Sequence, residues 1–120
     1  MRSGLLILCL LMAPVAVLAG EADVTGVKAS YSGARTYTFH VTVRHSDTGW
    51  DHYADKWDVI APDGTVLGTR TLYHPHVGEQ PFTRSRSGVR IPDGITSVKL
   101  RAHDKVHKYG GAEFEVKLDR

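Results

Sequence analysis

The chain of 120 residues carries 15 lysines and arginines against 13 aspartates and glutamates, with seven histidines and one cysteine. A formal charge of +2 supplies no field strong enough for nucleic acid, and the length bounds the protein to a single domain. Because Cys9 lies in an N-terminal apolar run, the rest of the chain folds without disulfides and depends on apolar packing.

That run, LLILCLLMAPVAVLA from Leu5 to Ala19, follows Arg2, ends in small residues and gives way to the polar GEADV. It reads as a secretory signal peptide over residues 1–19, cut after Ala19 or alternatively after Ala22. It is shorter than the roughly 20 residues a membrane-spanning helix needs. Ile7 and Leu8, rather than small residues, precede Cys9, so no lipoprotein cleavage site is read there. Residues 20–120 are then the mature domain, periplasmic or secreted, with no membrane contact after cleavage.

Period-two alternation dominates that domain. Val24 to Tyr31 is the first candidate strand, ended by Ser32-Gly33. In TYTFHVTVRH, Tyr37, Phe39, Val41 and Val43 point inward while Thr38, His40, Thr42 and Arg44 point to solvent. Trp50, Tyr53, Ala54 and Trp57 fall at helical spacing, yet GWDHYAD is expected as a structured loop or single turn leading into a third strand at Trp57 to Ala61. Pro62-Asp63-Gly64 then turns the chain into Thr65 to Leu72. Phe82 to Ile91 follows, its Arg84, Arg86 and Arg90 read as a solvated face, and Pro92-Asp93-Gly94 closes it. SVKLRAH buries Val98, Leu100 and Ala102, and AEFEVKL is expected to bury Ala112, Phe114, Val116 and Leu118. Seven short antiparallel strands with a tryptophan on the third predict an all-β, immunoglobulin-like or fibronectin-like β-sandwich.

The histidines are placed unevenly. His45 and His52 bracket the connection between the second and third strands, His74 and His76 flank Pro75 after the fourth, and His103 and His107 lie at and beyond the end of the sixth. Since antiparallel strands reverse direction, these three connections emerge at one pole, and the three histidine-free turns at the other. Neutral imidazoles without thiolate or thioether suit copper(II), zinc or nickel. The candidate ligands are therefore His45, His52, His74, His76, His103 and His107. Asp47, Asp51, Asp55, Glu79 and Asp104 are placed to coordinate directly or to orient the imidazoles. Each spacing has a bland counterpart: His40 and His103 share the outward parity of their strands, and His45 continues the inward parity of Val43. Trp57 is expected in the core and Trp50 either under the loop or facing a partner.

The run HSDTGWDHYADKWDVIAPDGTVLGTRTLYHPHVGEQPFTRS and the later KLRAHDKVHKYGG resemble small exported bacterial proteins of uncharacterised function. That resemblance implies a single domain and carries over no particular activity. Superoxide reductases also hold a metal with histidines on an immunoglobulin-like domain, but the cysteine of their ligand set has no counterpart beside His103 and His107. Two functions are carried forward: an exported metal-binding module, and an interaction module in which Trp50, Tyr53, Tyr73 and the histidines meet a periplasmic protein or a glycan. No nucleophile motif points to an enzyme.

Overall fold

The computed structural model describes residues 20–119, so the signal peptide read over residues 1–19 lies outside the described part. All seven elements are strands: β1 (Asp23–Gly33), β2 (Thr36–Arg44), β3 (Ala54–Ile60), β4 (Val66–Thr71), β5 (Phe82–Arg90), β6 (Ser97–Asp104) and β7 (Phe114–Lys117). They form two antiparallel sheets, ordered β1-β2-β5 and β4-β3-β6-β7. This is a β-sandwich in which the fourth strand joins the sheet of the third, rather than that of the first as in immunoglobulin constant domains.

The alternation of β2 is realised fully, with Tyr37, Phe39, Val41 and Val43 buried and His40 and Arg44 exposed. Across the sandwich they meet Trp57 and Val59 of β3 and Val98, Leu100 and Ala102 of β6. Trp57 is fully buried and Trp50 is 65% exposed, which settles both expectations. Gly68 admits this packing at the sheet edge, because a side chain there would press on the Val89 methyls at 3.1 Å.

Three details depart from the alternation. The first hairpin turns at Ala34 and Arg35 rather than at Ser32-Gly33, and both residues have positive φ, 52° and 64°. With Gly33 paired to Thr36, this is a two-residue loop of primed twist built without glycine at its centre. β3 starts at Ala54, three residues before Trp57, and Trp50–Asp51 form a turn rather than helix, closed by the bridge between Gly49 and His52. β7 is shorter than AEFEVKL, with Ala112 and Phe114 exposed and Val116 and Leu118 half-buried. As the edge of a four-stranded sheet facing a three-stranded one, it has too little opposite it to cover its inner face.

Strand reversal delivers the three histidine-bearing connections, 45–53, 72–81 and 105–113, to one pole. The other pole takes the turns between β1 and β2, β3 and β4, and β5 and β6.

Candidate metal centre

At the histidine pole β2 runs out at Arg44, and the inward parity of Val43 carries His45 into the end of the core, where it is 3% exposed. Its Nδ1 lies 2.5 Å from Asp47 Oδ1. Asp47, itself buried, also accepts the amides of Ala54 at Oδ1 (3.1 Å) and of His76 at Oδ2 (2.7 Å). An aspartate that only accepts assigns the proton of His45 to Nδ1 and leaves a lone pair on Nε2. This is the arrangement by which a carboxylate orients a metal-binding imidazole from behind.

That lone pair is directed at other donors. His45 Nε2 is 3.2 Å from His52 Nε2 and 3.3 Å from Asp104 Oδ2, and His52 Nε2 is 3.6 Å from Asp104 Oδ1. The Gly49–His52 turn folds His52 back over the end of β2, with Thr48 N donating to His52 O and His52 N to Gly49 O. Asp104, the last residue of β6, is fully buried. Its Oδ1 accepts the amides of Val106 and His107, whereas Oδ2 is buried and has no hydrogen bond. Burial pushes its carboxyl upward, but the amides of His107 and Val106, helped by the imidazoles of His45 and His107, outweigh that and hold it below the usual range. A carboxylate oxygen and an imidazole lone pair thus face each other with no hydrogen between them. Two acceptors at this distance repel unless a cation sits beside both.

Donors bound at 2.0–2.1 Å in a tetrahedron stand about 3.3 Å apart, which matches the 3.2 and 3.3 Å from His45 Nε2 to His52 Nε2 and to Asp104 Oδ2. His45, His52 and Asp104 each offer one ligand atom, all within 4.8 Å of one another, and they can hold a metal ion. His107 adjoins this trio, with Nδ1 3.3 Å from Asp104 Oδ2 and its ring centroid 4.9 Å from that of His52. Exposure is graded, from 1% and 0% for the side chains of His45 and Asp104 to 23% and 35% for His52 and His107. An ion would therefore be approached from solvent on the His52–His107 side.

The remaining candidates sit elsewhere. His103 precedes Asp104 on β6, so it faces the opposite side of the sheet, where Nδ1 binds Asp55 Oδ1 at 2.6 Å and the ring meets Tyr109 edge-on. There the Tyr109 hydroxyl donates to Asp58, which also takes Thr69 and Arg101, while Arg101 stacks over the Tyr109 ring at 4.0 Å. Burial, then this bond to Asp58, raises the Tyr109 hydroxyl above its usual range. His74 and His76 form their own pair, with ring centroids 4.7 Å apart. Among the acidic neighbours, Asp51 is exposed and Glu79 pairs with Arg84 at 3.3 Å.

No known family matches the chain, and no solved structure matches it. Over 91 residues, 76% of this chain, it is 45% identical to a protein of Halomicrobium mukohataei bearing the name "Putative lipoprotein". The chain spans 44% of that protein's length.

Proposed function

We propose that this protein is an exported metal-binding module, serving metal handling rather than catalysis, whose ion is held by His45, His52 and Asp104 with His107 beside them. The observation that carries the reading is the His45 Nε2 lone pair, oriented by Asp47 and aimed at His52 Nε2 and an unbonded Asp104 oxygen. Two imidazoles and a carboxylate suit borderline divalent ions, zinc and copper(II) foremost, with nickel next. Copper(I) lacks the sulfur ligands it prefers, since both methionines and the cysteine precede residue 20. The N-terminal signal read in the sequence and the lipoprotein name of the Halomicrobium relative support export. No helix among the described residues is long and apolar enough to cross a membrane.

Titration calorimetry of the mature, tag-free protein with zinc, copper(II) and nickel tests the reading. The expected result is saturable binding tighter than micromolar. Absence of such binding for all three ions overturns it.

A second reading has one observation in its favour: Trp50, Tyr73, Val77 and Val106, four exposed apolar side chains, all lie on the three connections of this pole. That is the composition of a protein- or glycan-contacting surface. Capture of a partner from a periplasmic extract that weakens in Trp50→Ala and Tyr73→Ala, yet persists with the metal site removed by His52→Ala, would favour it.

A further inference from the structure

His76 is placed as a ligand would be, yet it takes no part in the centre described above. It is 5% exposed, and both ring nitrogens are buried with no hydrogen-bond partner. One ring face lies on Phe82 at 4.0 Å, nearly parallel at 10°, and His74 lies 4.7 Å away at a 37° tilt. Its backbone is clamped from both sides: the amide donates to Asp47 Oδ2 at 2.7 Å, and the carbonyl accepts Gln80 Nε2 at 3.0 Å. Gln80 Oε1 in turn receives the amide of His45, which locks this connection to the one before β3. Phenylalanine would make the same stack without burying two polar atoms that have no partner. An imidazole here needs a use for its nitrogen.

We infer that His74 and His76 form a second metal site, separate from the first, which takes copper(II) between two imidazoles. His74 Nδ1 lies 3.1 Å from the carbonyl of Pro75, which assigns its hydrogen there and leaves Nε2 free as a donor atom. An ion lies about 3.1 Å from the centroid of an imidazole bound at 2.0–2.1 Å, so a centroid separation of 4.7 Å corresponds to a cis angle of about 100°. The pairs His45–His52 and His52–His107, at 4.7 and 4.9 Å, have the same spacing. With only two protein donors, the site favours the ion that binds nitrogen most strongly, copper(II), and completes its sphere with water. His74 is exposed and supplies the approach from solvent.

Copper(II) titration of the mature protein, followed by electron paramagnetic resonance, tests this without recourse to the first site. Wild type is expected to bind two equivalents with distinguishable spectra. His76→Phe keeps the stack and removes the nitrogens, and His74→Ala changes an exposed residue; each is expected to bind one equivalent, with the other spectrum unchanged. The double variant His45→Ala/His52→Ala is expected to retain the His74–His76 equivalent alone. Two equivalents in both His76→Phe and His74→Ala overturn the second site, as does a wild-type stoichiometry of one that His45→Ala/His52→Ala abolishes.

Discussion

Replacing Asp47 by asparagine tests the reasoning behind the metal centre most sharply, because Asp47 touches no ion and yet sets its ligand. The aspartate accepts from His45 Nδ1, the amide of Ala54 and the amide of His76, and so ties together the connection after β2, the start of β3 and the connection after β4. Asparagine keeps one oxygen for these donors and turns an NH2 toward at least one of them. A hydrogen bond to a charged group contributes about 1.5–3 kcal/mol, and a buried donor left unpaired costs about 1–3 kcal/mol, so metal-free Asp47→Asn should lose roughly 2–4 kcal/mol. For a domain of this size that lowers the melting midpoint by about 10–25 °C. Separately, a His45 ring free to change tautomer or rotate binds metal about ten- to a hundredfold more weakly. Thermal unfolding in chelator, followed by zinc titration at 10 °C where the variant stays folded, reads both effects. A variant that melts lower but binds zinc within twofold of wild type would show that Asp47 only braces loops. One unchanged in both would show that the network does not exist in solution.

Zinc at a hundredfold excess over its dissociation constant should stabilise the wild type by about 2.7 kcal/mol, and His52→Ala should remove that increment while melting like wild type in chelator; an increment that survives His52→Ala refutes the ligand set. Trp57, fully buried, should cost about 3–5 kcal/mol as alanine, whereas phenylalanine should cost far less because the indole N–H has no partner to lose, and equal losses on urea denaturation would contradict this. In chelator, His76 binds its proton more readily when unfolded, where its pKa is near 6.5, than when folded. Its contribution to stability is therefore present above about pH 6.5 and is lost as the pH falls toward the lower folded value. The wild-type melting midpoint should drop more steeply than that of His76→Phe over this window, and parallel profiles would refute the shift.

The sheet layout was legible because β2 and β6 alternate cleanly, and because two Pro-Asp-Gly turns, at 62–64 and 92–94, fall between the candidate strands. Reversal of direction then brings the histidine-bearing connections to one end, whatever the details of packing. Less local features were hidden. The Ala34-Arg35 turn carries no glycine signal, and its positive φ values are supported from outside by Ile91 N on Arg35 O and by Asp93 on the guanidinium at 2.9 Å. The exposure of Phe114 depends on the opposite sheet stopping one strand short, which no window around AEFEVKL records.

The site shows the same division between what parity decides and what loop folding decides. At the end of β6, His103 and Asp104 are neighbours, and alternation alone sends one to the outer face and the other toward the core. Composition favours the histidine as the ligand; parity selects the aspartate, and the structure follows parity. A carboxylate there does what an imidazole would not: Oδ1 collects the amides of Val106 and His107, which fixes the turn that brings His107 back, while Oδ2 stays free at the centre. His45 follows from parity too, as the next inward position after Val43. His52 does not, because its ring reaches His45 only through the Gly49–His52 turn. Two members of the donor set thus follow from strand parity and one from the folding of a loop, which is why alternation alone finds His45 and Asp104 but not His52.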